Sequence, residues 1–271
     1  MKPSFIIIGG VKCASSSLYR YLNGHPNVLP CKTKEPMYFN TKNPLRLIKG
    51  YKKYIQLFPQ EGQKRVHADW LEIGNDKKIK ESKFSKEIDP TKDYITGEAT
   101  ASLFIAANPR YIKLLFPNIK IILLLRDPSE RYISHFKMFQ RFENEGRKNF
   151  TGFQSMIEYV DKEIVDFNNN KTTRLIHQGV YSNYLPKWKK IFNNQLKVIN
   201  TRNLSNVHSN QTLNDVISFL GLEKFDFSDV LEKKHNVSPK DKDDYKHEKI
   251  RLDEFYTPYN NLLFQKYNHA L

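Results

Sequence analysis

Lys12, Glu35, Glu98 and Arg126 are the residues of this 271-residue chain whose neighbours in sequence best suit them to chemistry. Lys12 stands in FIIIGGVKCASSSL, where the apolar, β-branched run Phe5–Ile8 ends at Gly9 and Gly10. The run predicts a buried strand and the glycines a tight turn. Ser15, Ser16 and Ser17 follow, any of which can cap a helix carried by Leu18, Tyr19, Tyr21 and Leu22. Unpaired backbone N–H groups, the positive end of a helix dipole, one Lys and three hydroxyls then converge at one bend. That suits a phosphate or sulfate group. An ordinary strand-to-helix turn with chance serines is the competing reading.

Arg126 belongs to a second constellation, KIILLLRDPSERYISHFKMFQR, at Lys120–Arg141. Ile121–Leu125 reads as a central parallel strand. Asp127, Pro128 and Glu130 fall at the N-cap, first and third positions of the next helix, a capping-box arrangement. Arg126 is thereby set at the carboxyl end of a strand, where open α/β sheets bind ligands, with Ser134 two turns into the helix. A guanidinium fork matches phosphate oxygens, and a serine adds a neutral donor. Asp127 could instead hold Mg²⁺ at a strand end, but capping accounts for it more simply. Glu35 lies between Lys34 and Pro36, ahead of Met37, Tyr38 and Phe39. An apolar setting raises a carboxyl pKa toward the range of a general base, although a solvated loop Glu explains the local sequence as well. Glu98 follows a short strand at Tyr94–Gly97, and either contacts an acceptor or hydrogen-bonds a neighbouring loop.

The elements that must hold these groups are legible in outline. The first helix stops near Asn23-Gly24, before Pro26; Leu29–Asn40 reads as an ordered loop. Residues 44–58 predict a helix with Leu45, Ile48, Tyr51 and Ile55 a turn apart, ending before Pro59. Residues 60–92 are charge-rich with weak periodicity and read as a surface insertion or an acceptor-binding rim. Further helices are expected over 153–167, Leu213–Gly221 and Lys246–Asn268, with a strand at Leu196–Thr201. The last helix carries Leu252, Phe255, Tyr256, Tyr259, Leu262 and Leu263 at core spacing and is expected to pack on the sheet.

With 39% hydrophobic and 13% aromatic residues the chain can bury a sizeable core. No apolar run reaches membrane-spanning length, and the strand that starts at once after Met-Lys-Pro-Ser leads to the expectation of a cytoplasmic protein without membrane insertion. Cys13 and Cys31 form no disulfide framework, and the eight histidines show no metal-ligand spacing, so no metal is expected. The net charge of +15 suits an anionic partner. The lysines are spread along the chain without a basic arm, so nucleic acid is not the expected partner.

A nucleotide-triphosphate loop of the G-x-x-x-x-G-K-[ST] type is absent, because Val11 precedes Lys12 and Cys13 follows it. Lys12-Cys13-Ala14-Ser15-Ser16-Ser17-Leu18 instead resembles the 5′-phosphosulfate loop of the sulfotransferases that use 3′-phosphoadenosine 5′-phosphosulfate (PAPS), with Ala14 where the family usually has Gly. Arg126, Asp127, Pro128, Glu130, Arg131 and Ser134 match that family's R-D-P-x-E-R-x-x-S, which binds the 3′-phosphate of the donor. Lys34–Asn40 resembles the K-E-P-H-F-F-D segment of the heparan sulfate sulfotransferases and their bacterial relatives, whose Glu takes the acceptor's proton. Met37 and Asn40 replace its His and Asp. Glu98-Ala99-Thr100-Ala101-Ser102 is similar to segments on the acceptor side of the cleft, with Ala99 replacing a Lys. Gly179-Val180-Tyr181 with Leu185 and Trp188, and Phe219–Leu222, match weaker motifs. His235–Ser238 with Lys240 and Lys242 falls where relatives carry a mobile basic loop.

Together these readings lead to one α/β domain over residues 1–271, with a mainly parallel central sheet flanked by helices and a P-loop-like turn after the first strand. The resemblance implies sulfuryl transfer from PAPS to a hydroxyl or amine, leaving adenosine 3′,5′-bisphosphate, with a carbohydrate or small metabolite as acceptor. It implies Glu35 as base and Lys12 at the leaving phosphate oxygen. Lys12 through Leu18, with Arg126 and Ser134, would bind the donor, and Glu98 the acceptor. A P-loop kinase and a basic nucleic-acid-binding protein are the alternative classes.

Overall fold

Ile6, Ile7 and Ile8 are fully buried in the middle strand of a five-stranded sheet. In the computed structural model, which describes residues 1–73, 79–146, 152, 155–204, 208–232 and 244–267, the chain begins with β1 (Phe5–Gly9), α1 (Ser15–Gly24), β2 (Val28–Pro30) and α2 (Pro44–Ile55). It continues through β3 (Arg65–Ile73), β4 (Ile79–Glu87), β5 (Ile95–Ala99), α3 (Leu103–Ala106), α4 (Pro109–Leu115) and β6 (Lys120–Leu125). Then come α5 (Pro128–Asn144), α6 (Met156–Asn168), α7 (Ile176–Gly179), α8 (Leu185–Phe192), β7 (Leu196–Asn200), α9 (Ser209–Leu220), α10 (Ser228–Glu232) and α11 (Lys246–Tyr267).

The chain divides into two compact units. The first comprises Met1–Gly9, Ala14–Leu124 and Lys187–Lys240, and it holds the sheet in the order β2-β5-β1-β6-β7. β1 runs parallel to β5 and β6, and β2 runs parallel to β5. Gly9 and Gly97 are glycines because strands approach closely there: an added Cβ would lie 2.5 Å from the Leu124 and Phe5 carbonyl oxygens respectively. Strands β3 and β4 pair antiparallel along their length, a pairing that the weak periodicity of that stretch conceals. Lys86, on β4, donates to the carbonyls of Asn23, His25 and Val28 at 3.1, 2.7 and 2.8 Å. That places a cation on the C-terminal end of α1, where the helix dipole favours one.

The α2 helix has another inward face than the sequence pattern predicts. Leu47 and Tyr54 are buried, while Leu45 and Ile48 are 62% and 71% exposed. Two polar contacts turn it: Tyr54 Oη donates to Glu98, and Tyr38 Oη donates to the Leu47 carbonyl. No helix among the described residues is long and apolar enough to cross a membrane.

The second unit comprises Gly10–Cys13, Leu125–Pro186 and Asp241–Leu271. Its core joins Tyr132, Phe136 and Phe139 of α5 to Met156, Val160 and Ile164 of α6 and to Leu252 and Tyr256 of α11. The last helix therefore packs on helices α5 and α6, where the sequence led to the expectation of the sheet, and Leu262 stays exposed. Period and burial identify an apolar stripe but not the surface that receives it. The buried Glu163 carboxylate accepts from the backbone N–H groups of Arg174, Leu175 and Ile176 and fixes the turn before α7.

Candidate active site

The turn after β1 is strained where a ligand would be expected. Lys12 and Ala14 have φ of 74° and 58°, although neither is glycine. The N-cap of α1 is Ala14, with no side-chain cap, so none of Ser15, Ser16 and Ser17 plays the capping part expected of one of them. The left-handed residue starts the helix by itself, its carbonyl accepting from Leu18 N–H at 3.0 Å. Successive N–H groups around such left-handed residues form a concavity that suits an anion. Gly10 contributes closeness: a Cβ there would sit 3.0 Å from both Arg131 Cδ and Cys13 Sγ.

In the second unit, positive charge gathers on this turn. Burial, then Arg141 and Arg126, lower the Lys12 pKa to about 8. Arg126 Nη1 donates to the Lys12 carbonyl at 3.4 Å, and its Nε lies 3.3 Å from Glu130. Tyr181 Oη donates to the Arg126 carbonyl at 2.9 Å and lies 3.7 Å from Cys13 Sγ. Burial raises the Cys13 thiol, so it is a packing group whose contribution to a ligand is its backbone. Beneath them Arg131 is fully buried, donating to the Leu175 carbonyl at 2.7 Å. Burial and then Arg131, Lys12 and Arg174 hold His135 neutral, far below its ordinary pKa.

α5 is capped as the sequence predicts: Asp127 accepts from Glu130 N–H at 2.9 Å, with Pro128 at the first helical position. Ser134 is half-buried on it. Arg141 was not among the expected site residues, yet it lies seven residues beyond Ser134, two turns along the same helical face. Its Nε and Nη2 are buried without a hydrogen-bond partner, and Glu145 is 4.0 Å from Nε. Buried guanidinium nitrogens beside a charge-suppressed lysine fit a polyanionic ligand better than a closed protein interior. The spacing was the available signal.

In the first unit, the charge of one carboxyl group, Glu35, acts on another, Glu98. Glu35 has φ 61° and Met37 φ 54°. Seven non-glycine residues have positive φ among those described, and Lys12, Ala14, Glu35 and Met37 make up four of them. Strain is concentrated in the two loops that the sequence marks for chemistry. The Glu35 side chain is 35% exposed and 2.6 Å from Lys34 Nζ. Glu98 lies on β5, extending that strand past the expected Gly97, and is completely buried. Tyr54 Oη donates to one of its oxygens at 2.9 Å and the Thr100 hydroxyl to the other. Burial raises its pKa to about 7; the two hydroxyl bonds oppose the shift and the charge of Glu35 adds to it. Of the two readings the sequence leaves open for Glu98, its burial and its bonds to Tyr54 and Thr100 match hydrogen bonding to neighbouring elements, while acceptor contact would need the side chain to be uncovered. Tyr38 stacks on Tyr54 at 4.3 Å and 11°, so the Glu35 loop rests on the residue that holds Glu98. Asn40, in place of the family's Asp, donates to Ser102 at 2.9 Å. The stretch His235–Lys242, read as a basic loop, lies outside the described residues.

Known proteins share both the fold and the sequence pattern. A sulfotransferase from Alicyclobacillus acidocaldarius superposes with a TM-score of 0.65 over 100% of this chain and 98% of its own, at 18% identity. Carbohydrate sulfotransferase 15 of Homo sapiens is 26% identical over 81% of this chain and 44% of its own length. The bifunctional heparan sulfate N-deacetylase/N-sulfotransferase of Drosophila melanogaster is 25% identical over 84% of this chain and 20% of its own. The chain thus spans less than half the length of these curated relatives. Residues 3–226 match the family model described as Sulfotransferase family, a span that takes in the strained turn, both carboxyl groups and the Arg126 motif, and the chain belongs to that family.

Proposed function

We propose that this chain transfers the sulfuryl group of PAPS to a hydroxyl or amine acceptor. The observation that carries the reading is the buried, charge-suppressed Lys12 on a left-handed turn, with Arg126 bonded to its carbonyl. A site that opposes its own lysine's charge gains most from an arriving polyanion. Family membership supports the same donor. The α1 N–H groups and Ser15–Ser17 would receive the 5′-phosphosulfate, and Arg126 with Ser134 the 3′-phosphate.

With a hydroxyl acceptor, the acceptor oxygen bonds to sulfur as the sulfur–oxygen bond to the 5′-phosphate breaks. Glu35 takes the hydroxyl proton, and Lys12 neutralises charge growing on the departing phosphate oxygen. Glu98, kept protonated below about pH 7, positions the Glu35 loop through Tyr54 and Tyr38. This is positioning and electrostatic stabilisation, as in phosphoryl transfer. The names of the relatives indicate a carbohydrate as the first acceptor class to try, with small metabolites beside it.

Incubation with radiolabelled PAPS and a panel of glycans and hydroxylated metabolites tests the reading, with Glu35→Gln as the control. The variant should bind adenosine 3′,5′-bisphosphate as the parent does and turn over about a hundredfold or more slowly, the scale for loss of a general base. Near-full activity in Glu35→Gln alongside inactivity in Glu98→Gln would move the base to Glu98.

A further inference from the structure

The outward face of α2 has a composition that sulfuryl transfer does not explain. At 100° per residue, Ile48, Lys52, Leu45, Lys49, Lys53 and Arg46 follow one another around a single exposed arc, opposite the buried Leu47 and Tyr54. Between Pro36 and Gln60 there are five cations, Lys42, Arg46, Lys49, Lys52 and Lys53, and no acidic residue. No ion pair engages any of these five among the described residues. Leu45 and Ile48, at 62% and 71% exposure, stand within this charged field, and Met37 of the adjoining Glu35 loop is 52% exposed.

We infer that α2 docks this protein on an anionic membrane surface. Cations alone would suit an acidic polysaccharide as well. Leu45 and Ile48 favour lipid, because aliphatic side chains projecting among lysines gain from burial at the acyl boundary and nothing from a sugar chain. The Glu35 loop is fastened to the same helix: Tyr38 donates to the Leu47 carbonyl and packs where a Cβ on Gly50 would be 3.1 Å away. Docking through α2 therefore brings the Glu35 loop to the surface with it. Presentation of a lipid-borne hydroxyl to Glu35 is the consequence, and that consequence alone rests on the sulfuryl-transfer reading.

The test is co-sedimentation of the full chain with vesicles of equimolar phosphatidylglycerol and phosphatidylcholine, and with pure phosphatidylcholine. The parent should bind the anionic vesicles at least tenfold more tightly than the neutral ones. Leu45→Ser/Ile48→Ser, with every charge kept, should lose about tenfold in vesicle affinity while its affinity for heparin stays unchanged. Lys49→Glu/Lys52→Glu should lose both. A far-UV circular dichroism spectrum and melting temperature like the parent's are the check that each variant is folded. Failure of the parent to bind anionic vesicles overturns the proposal. Vesicle binding indifferent to the Leu45→Ser/Ile48→Ser change also overturns it, and identifies the face as a polyanion site. None of these readouts requires turnover, so failure here leaves the enzymatic reading standing.

Discussion

Lys12 keeps its proton only to about pH 8, because burial and two guanidinium groups oppose its charge. A bound phosphate reverses that balance and raises the lysine's pKa. Binding of adenosine 3′,5′-bisphosphate at pH 8 should therefore take up about half a proton, read from calorimetry in buffers of different ionisation heat. Affinity should decline as pH rises through that value, and Lys12→Met should abolish the uptake. Uptake unchanged in Lys12→Met would place the titrating group elsewhere. Arg126 makes a separable prediction. Arg126→Ala should weaken adenosine 3′,5′-bisphosphate by about 1.5–3 kcal/mol, the range for a charged hydrogen bond, and leave adenosine 5′-phosphate nearly unaffected. Equal losses for both ligands would show that Arg126 does not read the 3′ group. Lys12, Glu35 and Arg126 each sit in a short, contiguous pattern, which makes them candidates in the sequence alone. The left-handed Ala14 was not legible there, since the path of the turn sets that φ, and alanine carries no mark of it. The burial of Glu98 was hidden too, because Tyr54, which covers it, comes from a helix more than forty residues upstream.

At the scale of elements, β5 is where pH should act on stability. Glu98 has its pKa raised from 4.5 to about 7 by burial. Between those values the folded protein holds a proton that the unfolded chain has released, so this site's contribution to stability falls as pH rises through the window and levels off above it. Glutamine cannot ionise. The melting temperature of Glu98→Gln relative to the parent should therefore be higher at pH 8 than at pH 5, and a difference constant across pH would mean that Glu98 ionises normally. β1, β6, α5 and α9 were legible element by element, since each is a regular apolar run or stripe closed by its own signal: Asp127 and Pro128 for α5, and Gly221 in the left-handed conformation for α9. The β3–β4 pair was not, because its two strands stabilise each other by backbone pairing while their sequence is dense in charge. The inward face of α2 was misjudged for a related reason. Its orientation comes from two hydroxyl contacts at Tyr38 and Tyr54, and hydrophobic spacing does not register them.

Over the whole molecule, family membership and the strained turn support the anionic nucleotide donor proposed above, while the net charge of +15 alone admits several anions. The discriminating feature is the 3′-phosphate. ATP has none, whereas the assignment of Arg126 and Ser134 requires one. The most direct measurement is isothermal titration calorimetry of the parent chain with adenosine 3′,5′-bisphosphate, adenosine 5′-phosphate, ATP–Mg²⁺ and duplex DNA at one salt concentration. Saturable, one-to-one binding of adenosine 3′,5′-bisphosphate, at least tenfold tighter than adenosine 5′-phosphate or ATP–Mg²⁺, is the predicted result. ATP–Mg²⁺ binding as tightly as the bisphosphate, or duplex DNA being the sole ligand to bind, would contradict it.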